Sequence, residues 1–168
     1  MNDGAKWYVL QVATQKELEC KRRIKDAGFM SIVPTRNMPE LRNGRWGERE
    51  IVMLPGYVFV RCLGTVEHYY RLSGIPDIIR ILPGNGAYRP VPEDQMRWVM
   101  ELSNGGEPWG VSTGTDSDGR LKILSGPLVG REHLVLSWDK RRRRAKLLIR
   151  VLDVKHRIDV GLIETSNQ

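Results

Sequence analysis

The sequence predicts an α+β protein in which an N-terminal sheet has helices packed on it and a flexible linker leads to a small C-terminal β-barrel. Strand-like and helical segments alternate as far as residue 103, whereas glycine and small polar residues dominate residues 104–118. Because an apolar sheet face needs a covering layer, the helices of the first part are expected to pack on its sheet. We therefore expect domains at 1–103 and 119–168, joined by a flexible linker at 104–118.

The chain is expected to begin with a strand and a helix. Aromatic and β-branched residues dominate residues 7–12 (WYVLQV), which favours a buried strand. Residues 16–27 predict a helix because apolar side chains recur there at helical spacing and Gly28 follows as a C-terminal stop. The apolar face of this helix consists of Cys20, Ile24 and Ala27. Extended structure is expected to resume at residues 31–34.

A projecting hairpin and a long apolar strand are predicted next. Asn43-Gly44 is a preferred pair for a two-residue hairpin turn, so the charged segments on either side should form a ribbon. Residues 51–62 (IVMLPGYVFVRC) are strongly apolar and strand-like. Proline cannot donate to a strand ladder, and Pro55-Gly56 is therefore expected to bend or bulge this strand.

The first part should end with a helix, a strand and a second helix. Residues 67–73 predict a short helix and residues 78–82 a strand. Pro92 followed by Glu93 and Asp94 is typical of a helix start, since proline fits the first turn and acidic side chains suit the positive end of the helix dipole. The expected buried face of this helix is Met96, Val99 and Met100.

The C-terminal part contains several short strand-like segments separated by turn residues, and about five strands in a small barrel are expected there. The segments are residues 121–124, 132–138, 145–151 and 156–160. A module shorter than about 60 residues buries little core, so a partner or the linker is expected to assist it.

Composition favours a polyanionic partner. The chain has 27 Lys and Arg against 20 Asp and Glu, a formal net charge of +7. Residues 1–6 contain no apolar signal region, and no segment approaches the ~20 apolar residues of a membrane span, so we expect a cytoplasmic protein without membrane contact.

Nothing local in the sequence indicates catalysis, a metal or another cofactor. The two cysteines show no paired spacing, and the three histidines fall in separate segments without a motif that joins them to an acid or nucleophile. These residues are Cys20, Cys62, His68, His133 and His156. We therefore expect a binding protein that performs no chemistry.

The strongest charge signal is KRRRRAK at residues 140–146, which follows Trp138-Asp139 in an expected hairpin loop. Its cations repel one another unless solvent or a polyanion neutralises them, and the planar guanidinium suits phosphate. Contact with RNA or DNA is favoured over the alternative of a solvated loop, because the run is dense and attached to a rigid scaffold. The predicted nucleic-acid-binding residues are Lys140, Arg141, Arg142, Arg143, Arg144 and Lys146.

Several segments, in this order and spacing, resemble the NusG family of transcription elongation factors. WYVLQV at 7–12, VPT at 33–35, LPGYVFVR at 54–61 and IPDIIRIL at 75–82 resemble its N-terminal NGN domain. LKILSGPLVGREHLVLSWD at 121–139 resembles its C-terminal KOW motif. The resemblance implies a monomeric factor that binds bacterial RNA polymerase and promotes processive antitermination.

The resemblance also implies which residues bind the polymerase. An apolar patch would contact the clamp helices of the enzyme, and the start of a short helix would contact the opposite side of the cleft. The matching positions are Trp7, Tyr8, Leu54, Pro55, Tyr57 and Phe59 for the patch, and His68, Tyr69 and Tyr70 for the helix. Strand alternation places Tyr57 and Phe59 on one face, and aromatic enrichment at interfaces favours exposure of one of them over a purely buried role. Two adjacent tyrosines cannot both face the core of a short helix, so one should be exposed.

One departure bears on specialisation. Relatives that recruit the ribosome have a Phe-Gly-Arg turn before the last strand, where this chain has Leu152, Asp153 and Val154. With the arginine run, this implies an operon-specific factor similar to LoaP or RfaH, whose KOW domain contacts nascent RNA or exposed DNA. A housekeeping elongation factor and a ribosome-associated KOW protein that binds RNA remain alternatives.

Overall fold

The structure is a computed structural model that describes residues 4–82 and 89–165. The chain forms two compact units, each built from two separate stretches of sequence. The first unit comprises residues 1–34 and 54–106, and the second comprises residues 35–53 and 107–168. The elements, in chain order, are β1 Lys6–Val12, α1 Glu17–Asp26, β2 Met30–Ile32, β3 Thr35–Arg42, β4 Arg45–Val52, β5 Tyr57–Cys62, α2 Val66–Ser73, β6 Ile78–Ile81, α3 Glu93–Ser103, β7 Ser112–Ser117, β8 Arg120–Ser125, β9 Val135–Asp139, β10 Arg144–Val151 and β11 Val154–Glu164.

The first unit is built on a four-stranded sheet in the order β2-β5-β1-β6. All of its strand pairs are antiparallel, and Val9 of β1 lies opposite Phe59 of β5. Opposite residues share a sheet face, so Val9 and Phe59 lie on one face, whereas Leu10 and Val58 lie on the other. All four side chains are buried. The centre of this sheet is therefore covered on both faces.

Three helices complete the first unit. Helix α1 packs against β2 and β5, and its Cys20 and Ile24 are fully buried as the apolar spacing predicts. Helix α3 begins directly after Pro92 and buries Met96 and Val99. The expected burial of Met100 is wrong, because this side chain is 46% exposed. The third buried position of this face is instead Leu102, which continues the i, i+3 spacing that runs from Met96 to Val99.

The predicted long strand at residues 51–62 is two strands that belong to different units. Strand β4 ends at Val52 and β5 begins at Tyr57, with a turn between them. The buried carboxylate of Glu17 accepts the Gly56 N–H at 2.8 Å, and the Gly56 carbonyl accepts the Val12 N–H at 2.9 Å. Pro55-Gly56 therefore marks a break rather than a bulge, because β4 pairs with β3, whereas β5 and the Gly56 carbonyl pair with β1.

The second unit contains the predicted hairpin and a five-stranded sheet. Strands β3 and β4 pair around Asn43 and Gly44, whose φ angles of 51° and 76° confirm the two-residue turn. The larger sheet has the order β8-β7-β11-β10-β9, in which only β7 and β11 are parallel among the described strands. The predicted strand at residues 132–138 begins later, since Glu132–Leu134 form a 3₁₀ turn before β9.

The segment expected to be a flexible linker, residues 104–118, contains strand β7 and the buried Trp109. The Trp109 N–H donates to the Thr35 carbonyl at 2.9 Å, and its carbonyl accepts the Asn37 N–H at 2.8 Å. The hairpin is therefore bonded to the segment that precedes the five-stranded sheet, and it does not group with the expected 1–103 domain.

Close approach between backbones explains why the sequence of β7 looks like a linker. A Cβ on Gly114 would lie 2.8 Å from the Lys122 carbonyl oxygen, and one on Gly126 would lie 2.5 Å from the Ser112 Cα. Both distances are too short for a real side chain, so glycine is required at these positions. Within the segment expected to be a linker, Gly114 therefore serves close backbone packing.

Gly126→Ala should destabilise the second unit, and Gly119→Ala provides a matched control. Both glycines have positive φ, at 93° and 74°, but a Cβ on Gly119 would meet nothing within 4 Å. We expect Gly126→Ala to lower the free energy of unfolding by about 2–4 kcal/mol, and Gly119→Ala by only about 1 kcal/mol. Urea unfolding of the full chain measures both values, and equal losses would contradict the close-approach argument.

Candidate functional site

The aromatic patch expected on the first unit is mostly buried. Phe59 is 0% exposed, and Tyr8 and Leu54 are also buried. Trp7 and Tyr57 are half-buried, and Pro55 is exposed. Of the two aromatic residues expected at an exposed patch, Phe59 is therefore excluded, because β5 lies between β2 and β1 where both sheet faces are covered.

The two half-buried aromatic residues of this patch lie on one sheet face. Trp7 lies opposite Arg61 and Tyr57 lies opposite Gln11, and all four side chains are on the face that also carries Phe59. Tyr8 points to the opposite face, where burial and, to a lesser extent, nearby Cys62 raise the pKa of its hydroxyl. Trp7 and Tyr57 therefore share one face, with the buried Val9–Phe59 pair between them, and Tyr8 lies on the other face.

Helix α2 presents the second group of expected polymerase contacts. The Thr65 side chain caps the helix by accepting the His68 N–H at 3.2 Å. Tyr69 and Tyr70 stack edge to face with ring centroids 5.6 Å apart, and their exposed fractions are 36% and 70%. The expectation that one of the two tyrosines is exposed is confirmed, since both reach the surface.

His68 has an internal structural contact instead of a free imidazole. Its Nδ1 accepts the Leu63 N–H at 3.2 Å, and its ring meets the Phe29 ring edge-on at 4.9 Å. The side chain is half-buried. These contacts tie the loop before α2 to the helix, so His68 positions the two tyrosines.

The basic run forms the turn between β9 and β10, as the sequence predicts. The Arg142 N–H donates to the Asp139 carboxylate at 3.0 Å, and Arg143 has a positive φ of 58°. Strand β9 is fixed beneath the turn because the Trp138 indole N–H donates to the Leu162 carbonyl at 3.0 Å. The turn is therefore held by specific hydrogen bonds on a rigid hairpin.

Some cations of this run are paired with acidic side chains of the protein, and others are not. Lys140 lies 3.1 Å from Glu164 and 3.4 Å from Asp116, and its hydrogen bond to Glu164 is the main cause of its raised pKa. Arg144 and Lys146 both approach Asp159, at 3.8 and 3.4 Å.

Arg141 and Arg142 point outward. Arg141 forms no ion pair with any residue that the structure describes, and Arg142 reaches only Asp139, at 3.8 Å. These two arginines are therefore the cations of the run most available to an external anion.

One aromatic residue at the basic turn, Trp46, is not among the residues that the sequence predicts for the site. The guanidinium of Arg143 lies 4.1 Å from the ring centroid of Trp46, which projects from β4. Trp46 is 37% exposed. The sequence does contain a signal for this residue. A tryptophan in an otherwise charged ribbon, just after the predicted Asn-Gly turn, lies where no core is expected, and this could have marked it as a site residue.

The remaining candidate groups form no further cluster in the described part of the chain. Cys20 and Cys62 are buried free thiols. No three His, Cys, Asp or Glu side chains within residues 4–82 and 89–165 are arranged to hold a metal ion. Across the same residues, no helix has both the length and the apolar character needed to cross a membrane.

These features define a two-unit α+β protein in which a helix-covered sheet is combined with a small five-stranded sheet that presents basic residues. The family model described as "Transcription termination factor nusG" matches residues 5–100. The chain therefore belongs to the NusG family, as a NusG-type transcription termination/antitermination factor.

Individual relatives and a solved structure agree with this assignment. The "Transcription termination/antitermination protein NusG" of Campylobacter jejuni is 24% identical over 87% of this chain and 88% of its own length. The protein of the same name from Chlamydia pneumoniae is 29% identical over 56% of this chain and 57% of its own. The structure titled "Domain interaction in Thermotoga maritima NusG" is similar with a TM-score of 0.61 and 20% identity, over 94% of this chain and 93% of that one. This structural likeness confirms the predicted fold class.

Phe59→Ala should reduce stability. Because Phe59 is fully buried, we expect truncation to lower the free energy of unfolding by about 3–5 kcal/mol through lost packing. Tyr57→Ala on the same strand and face should cost about 1 kcal/mol or less, since this ring is half-buried. Urea unfolding measures the difference, and a loss at Phe59 no larger than at Tyr57 would show that the ring is not part of the core.

Proposed function

We propose that the chain is an operon-specific elongation factor that binds RNA polymerase through its first unit and nascent RNA through its basic turn, and so promotes processive antitermination. The observation on which the proposal depends most is the pair of outward arginines, Arg141 and Arg142, on a turn whose other cations are largely matched by internal acids. Membership of the NusG family supports the link to transcription.

The proposed polymerase surface consists of aromatic side chains that the first unit leaves accessible. Trp7 and Tyr57 share one sheet face, and Tyr69 and Tyr70 lie at the surface of α2. Large aromatic residues are enriched in interface cores because they bury much apolar area with few rotatable bonds. We assign Trp7, Pro55 and Tyr57 to contact with the clamp helices, and the two tyrosines of α2 to the opposite side of the cleft.

The basic turn is suited to phosphate contact. Binding of solvated cations that have no internal acidic partner to a polynucleotide is favourable, because it releases the counterions condensed on the phosphates. The turn projects from a β-hairpin whose register is set by β10, so the two guanidiniums are presented by a fixed scaffold. Nascent RNA and exposed DNA are the polyanions at an elongating polymerase, and we take nascent RNA as the ligand.

The specialisation is supported by the turn between β10 and β11. Leu152 and Asp153 both have positive φ, 56° and 60°, which makes a tight two-residue turn. Such a turn lacks the aromatic and basic side chains of the Phe-Gly-Arg motif that marks ribosome-recruiting relatives. A factor without this motif is expected to act on selected operons rather than to couple transcription to translation generally.

Tyr57→Ala and Tyr70→Ala should each weaken binding to core RNA polymerase. An anchoring aromatic residue contributes about 1–3 kcal/mol, so the dissociation constant should rise roughly 5- to 150-fold. Leu124→Ala, which truncates an exposed apolar side chain of the second unit, should leave it unchanged. Titration of labelled polymerase measures all three. Unchanged affinity in folded tyrosine variants would remove these residues from the interface, and no affinity in the native chain would favour a ribosome-associated protein.

Arg141→Ala combined with Arg142→Ala should flatten the salt dependence of RNA binding. Each phosphate contact to a single strand contributes roughly −0.7 to the slope of log affinity against log salt, so the slope should decrease by about 1.4. Lys155→Ala combined with Arg157→Ala is the matched control, because it removes two exposed cations from another part of the same sheet.

Transcription through terminators tests the consequence of losing these arginines. The double arginine variant should still bind polymerase, because its changes lie outside the first unit. It should no longer suppress termination on the responsive operons. If the double variant retained native RNA affinity and salt slope, the turn would be an ordinary solvated loop. If the native chain suppressed termination equally at every terminator, a housekeeping factor would be favoured.

A further inference from the structure

An open groove lies beside the basic turn, within the second unit. It has a volume of about 370 Å³, and its walls come from the β3–β4 hairpin and from the turn between β9 and β10. The hairpin contributes Pro39, Leu41 and Trp46, the turn contributes Arg141 and Arg142, and the first residue of β10 contributes Arg144. The groove therefore combines an apolar and aromatic wall with a basic wall.

Trp46 is held in place while part of its ring stays accessible. The Arg143 guanidinium lies 4.1 Å from the ring centroid, a distance at which the cation and the π face attract each other. The ring remains 37% exposed even with this contact. An indole fixed on one face by a guanidinium is a rigid surface on which a second planar group can stack.

More cationic than acidic side chains surround the groove. Arg144 and Lys146 share the single carboxylate of Asp159, and the one acid that lines the groove, Glu40, is paired with Arg42 at 3.2 Å.

Behind this wall, Arg36 is half-buried, and both Asp159, which attracts its charge, and Arg144, which repels it, lie close by. Desolvation lowers the pKa of Arg36, and the Nε atoms of Arg36 and Arg144 are buried without an acceptor among the described residues. The wall behind the groove therefore holds two neighbouring guanidiniums and one carboxylate, that of Asp159.

We propose that this groove binds a single-stranded polynucleotide, with one base stacked on Trp46 and the neighbouring phosphates on Arg141 and Arg142. The inference rests on the proposed function. It adds that the bound polynucleotide is single-stranded and that one of its bases contacts the protein, and neither point follows from the basic turn alone. In a duplex the base faces are stacked on each other and cannot reach an indole ring, whereas an unpaired base can. An acidic peptide could use the arginines but would gain nothing from a planar stacking surface.

The test uses the full chain and a labelled single-stranded RNA of about 12 nucleotides, a length within the range that small β-barrel domains contact. The same RNA annealed to its complement and the DNA strand of the same sequence are the other probes. Fluorescence anisotropy at several salt concentrations gives the affinity and the salt slope. Urea unfolding of each variant verifies that the fold is intact.

Trp46→Ala should weaken binding of the single strands at least tenfold and leave the salt slope unchanged, because stacking neutralises no phosphate. Trp46→Phe should retain most of the affinity, since it keeps an aromatic face. Leu136→Ala, which removes an exposed apolar side chain outside the groove, should have no effect. Duplex RNA should bind more weakly than the single strand and should not respond to Trp46→Ala.

Several outcomes would overturn the inference, and one separates it from the proposed function. If the native chain binds none of the polynucleotides, the RNA contact of the proposed function fails as well. If the native chain binds single strands but Trp46→Ala binds them equally well, only the stacking site is wrong. Tighter binding of the duplex, or equally strong competition by a polyglutamate peptide, would also overturn it. Comparable binding of the DNA strand would support the site and extend its ligands to exposed DNA.

Discussion

The path of the chain depends on how the backbone of Gly56 is held. Its N–H is bound by the buried carboxylate of Glu17, and its carbonyl is bound by the N–H of Val12. These two bonds let the chain leave the β3–β4 ribbon and enter β5, the strand that lies between β2 and β1. A carboxylate buried in this way is stable only because it accepts backbone donors, including the Gln15 N–H at 3.2 Å. The first unit is thus organised around a polar contact at the start of its most apolar strand.

Sequence patterns predict the elements that depend only on residues close together in the chain. The Asn43-Gly44 turn, the helix start after Pro92 and the apolar face of α1 each follow from residues within a few positions of one another. The strand conformation of residues 112–117 could not be predicted in this way. Gly114 is required there by the close approach of the Lys122 carbonyl, which neighbours it only after folding.

The candidate sites show the same division between local and long-range information. Sequence patterns correctly place the cations on a hairpin turn, yet they cannot show that Lys140 is matched by Glu164 or that Arg144 is matched by Asp159. Strand alternation places Phe59 and Tyr57 on one face, but the covering layer that buries Phe59 comes from elsewhere in the chain. Residues at the surface of a short helix, such as Tyr70, are easier to predict because two adjacent positions on a helix point in different directions.

The parallel pairing of β7 with β11 has a consequence for synthesis of the chain. Strand β11 ends at Glu164, and its residues 162–164 pair with residues 112–114 of β7, so the two strands meet across about fifty residues of sequence. Long-range pairings of this kind form late, because closing a long loop costs entropy before any contact compensates for it. The five-stranded sheet therefore cannot be completed until residue 164 has left the ribosome. Residues 35–53, which leave it much earlier, must wait for the strands of the same unit to appear.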